Sequence, residues 1–70
     1  MKIAVFGLGY VGLVTSVVLA NKGFKIYGFE NDVSKISKLK NNQLYIKEKN
    51  LAKLFNSKKV KNNFSAHLVE

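Results

Sequence analysis

Lys2-Ile3-Ala4-Val5-Phe6-Gly7-Leu8-Gly9-Tyr10-Val11-Gly12 is the stretch that decides how this chain folds. After its first residue the run to Phe6 is apolar and rich in β-formers, and glycine stops it, which predicts a short buried strand. A strand apolar on both faces suits a parallel sheet, because helices cover such sheets. Gly7 to Gly12 then form a G-x-G-x-x-G pattern where the strand ends and a helix begins. Each glycine has a mechanical task. Gly7 allows the tight turn, Gly9 lets a pyrophosphate approach bare backbone, and Gly12 lets helix and strand lie close together. The free N–H groups and positive dipole end of the helix would hold the phosphates.

Downstream, from Tyr10 to Lys22, the apolar period becomes helical. Leu13, Val17 and Ala20 stand at i, i+4 and i+7, and Val14 and Val18 widen the stripe. Several of these residues are β-branched, so packing must hold the helix. Gly23 can take the left-handed conformation that ends it, and Lys22 sits at the negative end of its dipole. Lys25 to Phe29 predicts a second strand closing at Glu30. An acid about twenty residues beyond the glycines completes the dinucleotide fingerprint. The Glu30 carboxylate can accept hydrogen bonds from adenosine ribose hydroxyls, and it would repel the additional phosphate of NADP. Asn31 follows it, where an arginine would welcome that phosphate, so the expected cofactor is NAD.

Asp32 is placed to cap a second helix with Val33, Ile36 and Leu39 on one face, ending at Asn41-Asn42. A short third helix is expected from Asn50 to Phe55, and Val60 to Ser65 is the candidate third strand, weakened by Asn62 and Asn63. The order gives the fold class: α/β, a partial Rossmann fold of βαβα plan with parallel strands, an incomplete doubly wound sheet. Same-handed crossovers put both helices on one face of that sheet and leave the other bare. Poor solubility or folding in isolation is therefore expected.

Composition narrows the function classes. A chain of 70 residues buries only ~60% of its unfolded surface, so its core is marginal. It has no cysteine, and His67 is its one histidine, which excludes disulfides and a Cys/His zinc site. The lack of cysteine fits a cytoplasmic location. The charge-free run Ile3 to Ala20 approaches membrane-span length, but its three glycines and helical second half suit strand, turn and helix better. No Ala-x-Ala-like cleavage site follows it, and neither a signal peptide nor a membrane partner is expected. The net charge is +8, and nine lysines with a single acid, Glu48, lie between Lys35 and Lys61. Arginine, the residue suited to bidentate phosphate and base contacts, is absent. We read the segment as a solvated face; a small basic nucleic-acid-binding module is the competing reading.

Met1 to Thr15, with Tyr10-Val11 between the second and third glycines, closely resembles the start of the UDP-glucose/GDP-mannose dehydrogenase family. The resemblance points first to bacterial UDP-glucose 6-dehydrogenases, then to GDP-mannose and other UDP-sugar dehydrogenases. Hydroxyacid and hydroxyacyl-CoA dehydrogenases usually carry other residues at Tyr10 and Val11. The resemblance implies that Glu30 and Lys35 line the NAD site together with Gly7, Leu8, Gly9, Tyr10, Val11 and Gly12. Tyr45-Ile46-Lys47-Glu48-Lys49-Asn50-Leu51 falls in register with a family segment usually written Pro-Ile-Tyr-Glu-Pro-Gly-Leu. It keeps Ile46, Glu48 and Leu51 and loses both prolines and the glycine, which puts the loop's conformation in doubt.

Family members oxidise the C6 alcohol of a sugar nucleotide to a carboxylate with two NAD, through a cysteine thiohemiacetal. The resemblance thus implies that residues 1–70 are the amino-terminal part of an NAD-binding Rossmann domain. The catalytic and substrate domains would lie outside them, and the nucleotide-sugar would bind only in the full-length enzyme. Without a thiol these residues cannot perform the chemistry alone.

Overall fold

In the computed structural model, which describes all residues from Met1 to Glu70, the elements follow as β1 (Lys2–Phe6), α1 (Tyr10–Asn21), β2 (Lys25–Glu30), α2 (Val33–Lys40), α3 (Lys49–Phe55), α4 (Lys58–Asn63) and β3 (Phe64–Leu68). The strands form one parallel sheet in the order β1-β2-β3, with Ile3 opposite Ile26 and Gly28 opposite both Val5 and Ala66. This is the α/β plan expected from the residue pattern.

Helix α1 buries Leu13, Val17 and Ala20 completely, as their spacing required, while Val18 turns outward, 37% exposed. Its carboxyl end closes on Gly23, at φ +102°. The Gly23 N–H donates to the Ala20 carbonyl at 3.0 Å and the Phe24 N–H to the Leu19 carbonyl at 3.2 Å. That double bond pattern around a left-handed glycine satisfies the last carbonyls and stops the helix. Asp32 caps α2 as its position suggested, accepting from the Ser34 N–H at 2.9 Å. Ile36 and Leu39 turn into the core, but Val33 is 66% exposed. Two steps of three residues rotate a side chain ~120° round the axis, which carries Val33 off the stripe that Leu39 centres.

The candidate third strand is displaced. Val60 to Asn63 belong to α4, and the strand runs from Phe64 to Leu68. The Ser57 hydroxyl caps α4 by accepting from the Val60 N–H at 3.2 Å, and the two asparagines complete that helix. Val60 therefore packs as a helical core residue, with α3 and α4 both against α1 and α2 against β2 and β3. All helices share one face of the sheet, over Ile3, Val5, Ile26, Gly28, Phe64 and Ala66. On the opposite face Phe6 stacks on Phe29 with ring centres 4.9 Å apart, and Phe29 on His67 at 5.4 Å. Nothing in the chain covers that face; Phe6 is 76% exposed.

Candidate functional site

The site sits at the carboxyl ends of the strands, where a parallel α/β sheet places its ligands. Gly7 leaves β1 at φ +89°, a conformation that favours glycine, while its N–H donates to the Phe29 carbonyl at 2.7 Å. Leu8 then drives its side chain fully into the core, above β2. A methyl group built on Gly28 would lie 3.0 Å from both terminal carbons of Leu8, so the bare backbone of β2 is the floor on which Leu8 rests. At Gly12 the demand is harsher: an added Cβ would stand 1.9 Å from the Gly7 carbonyl oxygen. Helix and turn meet there backbone to backbone.

Gly9 differs. It precedes α1 at φ −73°, which any residue adopts, and an added Cβ would meet no atom within 4 Å. Neither backbone conformation nor packing asks for glycine at this position. The N–H groups of Gly9, Tyr10, Val11 and Gly12 find no acceptor within the chain, and the first helical bond runs from the Leu13 N–H to the Gly9 carbonyl at 2.9 Å. Four donors without an acceptor in the chain thus gather at the positive end of a helix dipole, an arrangement suited to an anion. Tyr10 and Val11 border it with exposed side chains.

Glu30 closes the arrangement from β2. It is 7% exposed, and its carboxylate accepts from the Leu8 N–H at 2.8 Å and from the Asp32 N–H at 2.9 Å. The Leu8 hydrogen bond holds its pKa below the usual 4.5 in spite of the opposing effect of burial, with further help from the Asp32 amide and the Lys35 charge. The acid faces the turn and is ionised. A crevice of about 220 Å³ lies beside it, lined by Phe6, Gly7, Phe29, Glu30, Asn31 and Val69. The largest cavity, about 420 Å³, lies elsewhere, between α2, α4 and β3, and none of the sequence-predicted site residues lines it.

Gly7, Leu8, Gly9, Tyr10, Val11, Gly12 and Glu30 therefore form one cluster, in which Leu8 contributes its backbone and no exposed side chain. Lys35, in the first turn of α2, places its Nζ 5.7 Å from the ring centre of Tyr45. Tyr45 itself was absent from the sequence reading of the site. From the loop between α2 and α3 its hydroxyl donates to the Leu8 carbonyl at 2.5 Å. Burial, and then the charges of Glu30 and Asp32, push the Tyr45 phenol up to about 12, so it keeps its proton and donates at neutral pH. The only local trace of this role was a tyrosine where the resembling segment has proline.

A model of the NAD-binding domain of the UDP-glucose/GDP-mannose dehydrogenase family matches residues 1–69. Over 53 residues the chain is 42% identical to a UDP-N-acetyl-D-mannosamine dehydrogenase of Methanococcus maripaludis, covering 76% of this chain and 12% of that protein. It is 49% identical over 53 residues to the UDP-glucose 6-dehydrogenase TuaD of Bacillus subtilis, with the same shares covered. Among solved structures, the UDP-N-acetyl-mannosamine dehydrogenase Cap5O from Staphylococcus aureus superposes with a TM-score of 0.88 at 30% identity, over 100% of this chain and 17% of that one. A UDP-glucose dehydrogenase from Pyrobaculum islandicum gives 0.84 at 27% identity, over 94% of this chain and 15% of that one. The chain spans about an eighth of the length of these curated relatives. With the fingerprint glycines, the acid of β2 and this match of its residues 1–69 to the family's NAD-binding domain, the chain belongs to the UDP-glucose/GDP-mannose dehydrogenase family.

Proposed function

We propose that the Gly7–Gly12 turn holds the pyrophosphate of NAD against the amides of Gly9, Tyr10, Val11 and Gly12. On this reading Glu30 reaches the adenosine ribose from the neighbouring strand, and Lys35 adds positive charge at the same end. The observation that carries it is Gly9, a glycine that neither φ nor packing requires, beside four amide donors with no acceptor in the chain. A phosphate group fits that space and charge, and a side chain at residue 9 would occupy it. The ionised Glu30 would repel the 2′-phosphate of NADP, which favours NAD.

For the full enzyme we infer oxidation of a UDP-sugar with NAD as hydride acceptor. These 70 residues would supply cofactor binding, and a thiol nucleophile would have to come from outside them, because the chain contains no cysteine. The sequence favoured UDP-glucose as the substrate. Relatives named for UDP-N-acetyl-D-mannosamine match as widely as those named for UDP-glucose, so UDP-sugar is the level this reading supports. We place the enzyme in the cytoplasm, with its pool of dinucleotide; no helix of the chain is long and apolar enough to cross a membrane. The lysine-rich segment reads as a solvated face, with Lys61 bonded to Asn42 and standing over the Phe55 ring.

The test is calorimetric titration of NAD into the wild type and Gly9→Ala. Gly9 stands at the N-cap of α1, so the substitution should lower the unfolding free energy by no more than about 1 kcal/mol and leave the chain folded. NAD affinity should fall at least tenfold. Equal NAD affinity in the two proteins would defeat the reading.

A further inference from the structure

We propose that Tyr45 is a positioning residue of the dinucleotide site, whose hydroxyl sets the direction in which the Gly9 N–H points. The inference rests on the reading above and concerns the peptide unit joining Leu8 to Gly9. A trans peptide is planar, so its C=O and N–H point in opposite directions. Tyr45 holds the Leu8 carbonyl at 2.5 Å on the protein side of the turn. The Gly9 N–H on the same peptide must therefore point away from Tyr45, where it meets no acceptor of the chain.

Glu30 performs the matching task one peptide earlier. By accepting from the Leu8 N–H at 2.8 Å it fixes the Gly7–Leu8 unit. With the Leu8 side chain locked in the core, the remaining freedom of the turn is rotation of the Leu8–Gly9 plane, and glycine at residue 9 opposes that rotation less than any other residue. A rotated plane would present the Leu8 carbonyl oxygen where a phosphate is expected and withdraw a donor. One hydroxyl from the α2–α3 loop prevents this. The same ring faces Lys35 at 5.7 Å, so the loop also steadies the nearest cation of the site.

Tyr45→Phe tests the inference, because it removes the hydroxyl and keeps the ring. In the free chain, ¹⁵N NMR should show the Leu8 and Gly9 amides displaced and broadened, while those of Ala20 to Gly23, at the far end of α1, stay in place. NAD affinity, measured well below the melting transition, should fall about tenfold, the upper range for one hydrogen bond. A purely structural role would lower the melting midpoint and leave the affinity of the folded protein intact. Unchanged Leu8 and Gly9 amides, or NAD affinity within twofold of the wild type, would overturn the proposal. Global unfolding of Tyr45→Phe would do so too, since the hydroxyl would then support the fold and not the turn. If the wild type itself fails to bind NAD, the dinucleotide reading falls alone, and the free-chain amides still decide whether Tyr45 holds the peptide.

Discussion

Glu30 joins three segments with one carboxylate: the turn after β1, the end of β2 and the start of α2, through the Leu8 and Asp32 amides. Both bonds favour the ionised form, and its pKa lies below 4.5 in the folded chain. The stabilisation it brings is complete above the unfolded value and is withdrawn as pH falls through the lower folded one. Urea unfolding followed down from pH 7 should therefore show a plateau, then a loss of stability below about pH 4.5. Glu30→Gln should flatten that loss. It should also lower stability at pH 7 by about 1–3 kcal/mol, since an amide side chain leaves a backbone donor without its acceptor. The same acid slope in both proteins would count against this account. Spacing alone located Glu30, because fingerprint positions follow from where a strand must end. Its hold on the Leu8 amide was not legible. Burial of the carboxylate depends on how far Leu8 sinks over Gly28, which no local pattern expresses.

At the scale of elements, the helices are short and depend on their ends. Asp32 accepts from both the Ser34 and Lys35 amides at the start of α2, an eight-residue helix too brief to stand without packing and a cap. Asp32→Ala should cost about 1 kcal/mol in urea unfolding, and Asp32→Ser should recover most of it. A loss shared equally by Ala and Ser would show that the carboxylate acts through charge and not through capping. This cap was legible because Asp directly before an apolar-spaced run has few other uses. The end of the chain was not. Asn63 donates to the Ala20 carbonyl at 3.3 Å, at the far end of α1, and to the Lys59 carbonyl at 3.0 Å. A residue poor in strand propensity was thus recruited into helix by contacts distant in sequence. The apolar Val60 and Phe64, read together as one strand, fall on either side of that helix end.

Taken whole, the molecule is a half-covered sheet. One face holds the core, and the other carries Phe6, Tyr27, Phe29 and His67 with no layer above them. Parallel sheets are normally covered on both faces, and a contiguous aromatic surface of this kind drives association. Sedimentation velocity on the 70-residue chain should show concentration-dependent association. Phe6→Lys should suppress it at a cost of about 1 kcal/mol for the lost ring stack. A wild type that stays monomeric at high concentration would contradict the prediction. The bare face followed from the order of elements alone, since same-handed crossovers leave no alternative.

The contact of Leu8 with Gly28 carries one last implication for anyone reshaping this protein. The same leucine that fills the interior also sets the height of the loop beside the crevice. A change inside the sheet at residue 28 therefore bears on the loop as well as on the core. A bulkier middle strand would press on the Leu8 methyls and the Phe64 ring, like a shim under a hinge, so variants chosen for stability there call for a binding assay as well.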